Sequence, residues 1–203
     1  LPRPKTDTTA VRKQLLEATE RHIKVHGPRR LTVSDIASEC GMSQSNAYRF
    51  FRNKQALLEA VGERWFAAIE EELASIAASD QPPAEQLVRF VVRQYELKRA
   101  RYAEDPVLFR SYLELGMANM KIVERHLNRL HAQLEAIMQR CAEVGLLGGR
   151  DPGEAALLVE AMTVRFRDPG LIMRHYDSDS AARAAEAAGL ILAGLAHLRR
   201  TPN

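Results

Sequence analysis

Cysteine is almost missing from this chain, which has only Cys40 and Cys141 in 203 residues. Two such residues far apart exclude a disulfide framework. Cys40 falls where a helix should end and a small apolar side chain would pack, so both read as buried free thiols, with a redox switch as the alternative. Aromatic residues make up 6% against 46% hydrophobic overall, so any core must be mostly aliphatic. No uncharged apolar run approaches the ~18 residues of a membrane-spanning helix, which excludes a transmembrane class. The opening LPRPKTDTT holds neither an apolar segment nor a small-residue cleavage site, and a cytoplasmic location is expected.

Signals of catalysis are missing too. There is no nucleophile motif and no carboxylate pair in a setting for acid–base work, so no enzyme and no cofactor are expected. His22 and His26 stand four apart but lack a third ligand nearby, and no metal is expected. The turn containing Gly148 and Gly149 follows a helix and lacks the spacing of a phosphate-binding loop.

What is present is helix. Within Leu31 to Leu58, Thr32 and Asp35 form a T-x-x-D capping box that starts a helix over 33–40. Gly41 stops it, and Ser43 caps a second helix over 44–51. Two helices joined by about three residues have the spacing of a helix-turn-helix. Ile36, Ala37, Ala47 and Phe51 are apolar at helical spacing and fix the crossing, which leaves Gln44, Ser45, Asn46, Tyr48 and Arg49 directed elsewhere. Periodicity alone also allows a hairpin that merely packs. The polar residues decide against it, because Gln, Ser and Asn at a helix N-terminus suit base edges in a major groove and its partial positive charge suits phosphate.

Read from Thr32 through Lys54, the pattern T-V-x-x-I-A-x-x-x-G-M-S-x-x-x-x-Y-x-x-F-x-x-K resembles the DNA-binding segment of the TetR family of bacterial transcriptional regulators. The match extends to Gly27 and Leu57 and covers roughly the first quarter of the chain. This resemblance implies a homodimer on double-stranded DNA and a separate domain that releases DNA when a small molecule binds. Matched positions imply that Gln44, Ser45, Asn46 and Arg49 face bases and that Thr32, Ser43, Tyr48 and Lys54 grip phosphate, with Ser34 serving either purpose. Two positions depart from the family: residue 45 is Ser where Gly or Pro is frequent, and residue 50 is Phe where Tyr or His is frequent, so Phe50 is expected to pack.

Charge agrees with this reading. Residues 1–54 hold 11 Lys and Arg against 5 Asp and Glu, while the remainder holds 18 against 21. A basic head on a mildly acidic body suits a polyanionic partner. Residues 1–8, with Arg3 and Lys5 among prolines, lack periodicity and read as a mobile arm that reaches a groove or hangs in solvent.

Further helices are expected over 9–26, 54–76, 84–103, 107–116, 119–144, 152–167 and 180–200, with a short helical linker over 171–176. The helix from residue 54 is long enough to carry a signal between domains. Trp65, Phe66, Phe90, Phe109, Tyr112, Met162 and Phe166 are candidate walls for a small apolar effector, though such a stripe also suits a plain core. Small residues Ala181, Ala184, Ala185, Ala188 and Gly189, with Leu190, Leu192 and Leu195, pair with Leu157, Leu158, Ala161, Met162 and Phe166 as half of a four-helix dimer interface.

The expected fold is therefore all-α. A three-helix helix-turn-helix DNA-binding domain over 1–52 precedes a helical effector-binding and dimerisation domain of six or seven helices over 53–203. The expected function is a sequence-specific regulator, a repressor released from a palindromic operator by its effector. A non-specific architectural DNA-binding protein without an effector is the alternative.

Overall fold

The computed structural model describes residues 8–197, so Arg3, Lys5 and the end of the last predicted helix lie outside the described residues. The fold is all-α, with eleven α-helices and no strand among the described residues. They are α1 (Thr8–His26), α2 (Val33–Glu39), α3 (Gln44–Phe50), α4 (Lys54–Ala77), α5 (Pro83–Glu104), α6 (Pro106–Ala118), α7 (Met120–Glu143), α8 (Pro152–Met162), α9 (Val164–Arg167), α10 (Pro169–Arg174) and α11 (Ala181–His197). A single 3-10 turn, Pro28–Arg30, follows α1.

Two compact units form. One takes residues 8–66 and 106–123, the other 67–105 and 124–197. In the first, Leu15, Ala18 and Ile23 of α1 meet Ile36 and Ala37 of α2, Ala47 of α3, Leu57 and Val61 of α4, and Tyr112 and Leu115 of α6 in one buried cluster. Helix α6 thus adds its Tyr112 to the core that holds the helix-turn-helix, and the Tyr112 hydroxyl donates to Glu20 Oε1 at 3.2 Å. Phe50 packs against this core as expected from its lost polarity.

In the second unit, Ile69 and Leu73 of α4 and Leu87, Phe90, Val91 and Tyr95 of α5 join Leu130, Leu134, Ile137 and Met138 of α7. Val159, Phe166, Ile172, Ala184, Ala188, Leu192 and Leu195 complete the cluster. The carbonyls left open where α4 ends at Ala77 are met by side chains. Gln86 Nε2 donates to the carbonyls of Ile76 at 3.0 Å and Ser79 at 2.6 Å, and Arg140 donates to Gln86 Oε1 at 2.6 Å.

One predicted helix breaks. The stretch 152–167 divides at Thr163, whose φ of −102° and ψ of 9° lie outside the helical range. The cause is local: the β-branched Thr163 turns its hydroxyl back onto the Val159 carbonyl at 2.6 Å, the same carbonyl that accepts the Thr163 amide at 2.9 Å. Residues after position 52 consequently form eight helices, not six or seven.

The expected dimer face also divides. Ala184, Ala188, Leu192, Leu195 and Phe166 point into the unit's own core. Leu157, Leu158, Met162 and Leu190 stay exposed, Leu190 by 68%.

Candidate functional site

The helix-turn-helix is built by three local devices. Thr32 Oγ1 accepts the Asp35 amide at 3.1 Å while Asp35 Oδ2 accepts the Thr32 amide at 3.2 Å, which closes the capping box and starts α2. At its end, the Gly41 amide bonds the Ser38 carbonyl and the Met42 amide bonds the Ala37 carbonyl, each at 3.0 Å. This is a Schellman turn, and it requires the left-handed φ of +65° that Gly41 supplies without a Cβ penalty. Ser43 then accepts the Asn46 amide at 3.3 Å and starts α3. Two side chains brace α1 against α2: His22 Nδ1 lies 2.7 Å from Glu39 Oε1, and Gln14 Nε2 donates to the Cys40 carbonyl at 3.4 Å.

With Ala47 fully buried beneath it, α3 presents Gln44, Ser45, Tyr48 and Arg49 outward, and Asn46 stays partly exposed. Thr32 and Ser43 are exposed at the two caps and Ser34 is half-buried on α2. Lys54 is half-buried, and its Nζ donates to the Arg29 carbonyl at 2.6 Å, tying α4 to the 3-10 turn. Arg29, Arg30 and Arg52 are exposed cations in this unit that the sequence reading did not single out. Only their charge signalled them.

The seven candidate effector residues do not form one pocket. In the first unit Trp65 stacks on Tyr112 with centroids 4.9 Å apart and meets Phe66 and Phe109 edge-on at 5.1 and 5.8 Å. Trp65, Phe66 and Tyr112 line a cleft there with Gly62, Leu115, Gly116 and Ile122. Phe90 belongs to the second unit and lines a different cleft with Val91, Gln94, Leu130, Leu134, Val159, Glu160, Thr163 and Arg167. Phe166 is buried in that unit edge-on to Tyr95 at 5.8 Å, and Met162, 62% exposed, lines neither cleft. Each cleft has a volume of about 10 Å³, room for about one water. Both are closed in this structure.

Charge is buried in the second unit. Lys98 is 3% exposed, and its Nζ donates to the Arg167 carbonyl at 2.6 Å. Burial, then repulsion from Arg167, holds its ammonium down to about 7. Burial and then Lys98 and Arg129 lower His126 to about 3, so the ring is neutral and donates Nδ1–H to Glu70 Oε1 at 2.8 Å. Glu70 Oε2 accepts from Arg129 at 2.8 Å. Burial raises both cysteine thiols, Cys141 to about 11, which keeps them protonated and works against the redox alternative.

Comparison with known proteins places both units in one lineage. The sequence model described as bacterial regulatory proteins, tetR family, matches residues 15–61, and that described as tetracyclin repressor-like, C-terminal domain, matches residues 83–187. The chain belongs to the TetR family. It is accordingly a DNA-binding transcriptional regulator and not an enzyme. A TetR-type relative, the HTH-type transcriptional regulator BetI of Brucella anthropi, is 21% identical over 89% of this chain and 89% of its own length. Among solved structures, the SmeT–triclosan complex has a TM-score of 0.70 at 22% identity, covering 96% of this chain and 98% of that one. SmeT is the repressor of a Stenotrophomonas maltophilia multidrug efflux pump. FadR of Bacillus subtilis in complex with stearoyl-CoA has a TM-score of 0.65 at 19% identity, covering 90% and 98%. The last two likenesses concern the fold.

Within this TetR-family chain no helix of the described residues is long and apolar enough to cross a membrane, and no group of three metal-ligating side chains occurs among them. The residues that sequence reading passed over are Gln94, Lys98, Glu160, Thr163 and Arg167. A signal was present, because Gln94 and Lys98 occupy the same helical stripe as the buried Leu87, Phe90, Val91 and Tyr95.

Lys98 makes stability depend on pH with a definite sign. Its folded pKa of about 7 lies below the ordinary 10.5, so the folded state binds fewer protons between those values and stability rises with pH across them. Cys141 acts oppositely above its ordinary 9.0, where a thiol held protonated by folding loses stability as pH rises. Between pH 7 and 9 the native protein should therefore gain stability, and Lys98→Met should flatten that gain. Urea midpoints of both proteins at the two pH values measure it.

Proposed function

We propose that this chain is a repressor that binds a palindromic operator as a homodimer and is released by a small, largely apolar effector. The observation that carries the reading is α3: buried on the Ala47 side, exposed at Gln44, Ser45, Tyr48 and Arg49, and held by a fixed turn. In this reading residues 1–52 serve DNA binding and 53–203 serve effector binding and dimerisation. Gln44, Ser45, Asn46 and Arg49 meet base edges, and Thr32, Ser43, Tyr48 and Lys54 meet phosphates, with Ser34 on either. Exposed Arg29, Arg30 and Arg52 add to the electrostatic part of binding.

The exposed apolar residues Leu157, Leu158 and Met162 of α8 and Leu190 of α11 supply the dimer face, and Gly189 beside Leu190 has open space where a side chain would stand. Two-fold symmetry then sets the recognition helices one DNA turn apart, about 34–36 Å, or somewhat more. Helix α4 contributes residues to both compact units, so a change in one unit reaches the other through continuous backbone. Triclosan in SmeT and stearoyl-CoA in FadR support an effector with substantial apolar surface. Such a molecule shifts the protein only if it prefers one of two forms.

Two measurements test this. Arg49→Ala should cost about 1–3 kcal/mol at one operator position while Lys54→Ala weakens all sequences alike. Uniform loss in both variants, read by competition with point-substituted operators, would remove Arg49 from base reading. Leu190→Glu places a charge in the proposed face and should halve the mass seen by sedimentation velocity, whereas an unchanged mass would move the dimer interface elsewhere.

A further inference from the structure

Helix α5 buries a stripe that is apolar except at Gln94 and Lys98, each 3% exposed. Burying an ammonium is unfavourable unless it is paired. Lys98 has three N–H donors, and among the described residues its hydrogen bond is the one to the Arg167 carbonyl, with no carboxylate in ion-pair range. The residue it bonds is itself a cation. Arg167 is 17% exposed, and its guanidinium lies in the wall of the second unit's cleft, 3.5 Å from Glu160 Oε1.

The surrounding charges do not neutralise this pair. Glu160 is shared, its Oε2 lying 3.3 Å from His131 Nδ1. Asp168 is exposed and occupied in capping α10, where it accepts the Leu171 amide at 2.9 Å. Glu70 is already bonded by Arg129 and His126. One cation is left over in a desolvated place. It stands next to a cleft whose other walls, Phe90, Val91, Leu130, Leu134 and Val159, are apolar.

We infer that this cleft receives an amphipathic organic acid, a monocarboxylate with a hydrocarbon part, whose carboxylate meets Arg167 and Lys98 while its chain lies along Phe90, Val91, Leu130 and Leu134. Charge selects the acid: the carboxylate cancels the surplus cation, as neither an alcohol nor an amine does. Gln94 and Thr163 complete the polar end. Thr163 donates its hydroxyl to Val159, so toward a ligand its oxygen serves as an acceptor, and Gln94 supplies an amide. The closed cleft must open to admit such a molecule, and the helix break at Thr163 lies in its wall. Moving the four residues of α9 opens it without unwinding α8. The inference specifies the effector class of the repressor reading and rests on it.

Calorimetry of the full chain with octanoate, octan-1-ol and octylamine tests it. Octanoate should bind at least tenfold more tightly than octan-1-ol, with octylamine weakest. Lys98→Met should remove that preference while leaving octan-1-ol unchanged. Should Lys98→Met fold poorly, Arg167→Gln reports the same loss. Equal affinity for acid and alcohol, a preference retained in both variants, or no octanoate binding at millimolar concentration would each overturn the assignment. The effector reading fails separately: octanoate that binds with the expected Lys98 dependence but leaves DNA affinity unchanged upholds the acid site and removes its role in release.

Discussion

The left-handed turn at Gly41 is the constraint on which the DNA-facing part of this protein depends. With φ at +65°, the chain leaves α2, satisfies two of its last carbonyls and re-enters a helix at Ser43 within three residues. The crossing of α2 and α3 is then fixed by contact of residues with almost no side chain to spare, Ala37 and Ala47, both fully buried with Ile36. Larger groups there would separate the helices, and a Cβ at position 41 would strain the turn. Because the apolar side of α3 is so fully used, its polar residues have only the outer face. Polar exposure is the consequence of packing.

That part of the molecule was legible because its physics is local. Caps, a stop glycine and apolar spacing all operate within four residues, and Thr32, Asp35, Gly41, Ser43 and Asn53 act as expected, Asn53 accepting the Ala56 amide at 2.8 Å at the start of α4. The break at Thr163 was not legible. A threonine bonding back to the carbonyl four residues earlier is compatible with a continuing helix, and only the packing of Val159 and Phe166 into one core decides the outcome. Nor could the sequence divide its aromatic residues correctly. Trp65 and Phe90 share the same helical pattern, but partners distant in sequence, Tyr112 for one and Leu130 for the other, assign them to different clefts. The small residues of α11 show the same limit: Ala184 and Ala188 serve the chain's own core and Gly189 does not, a difference set by about a quarter turn of helix.

Buried charge in the second unit follows a different logic from the rest of the core. Glu70, His126 and Arg129 form a satisfied network between α4 and α7, in which the neutral imidazole bridges without bringing a further charge. Lys98 and Arg167 do not close in that way. Polar groups left short of partners in a protein interior destabilise the fold, and they persist where another function benefits. A stripe of aliphatic residues interrupted by Gln94 and Lys98 is therefore informative about a ligand in a way that a complete stripe would not be.

The central claim is that the outward face of α3 reads sequence from a two-fold arrangement. Selection of bound duplexes from random DNA with the purified chain, followed by affinity for the winner and for random DNA at two salt concentrations, tests it most directly. The account predicts a near-palindrome whose half-sites lie about one helical turn apart or somewhat more, preferred over random DNA by about a thousandfold or greater at both salts. Absence of any enriched motif, with affinity that falls equally for all duplexes as salt rises, would contradict it and assign the chain to non-specific architectural binding.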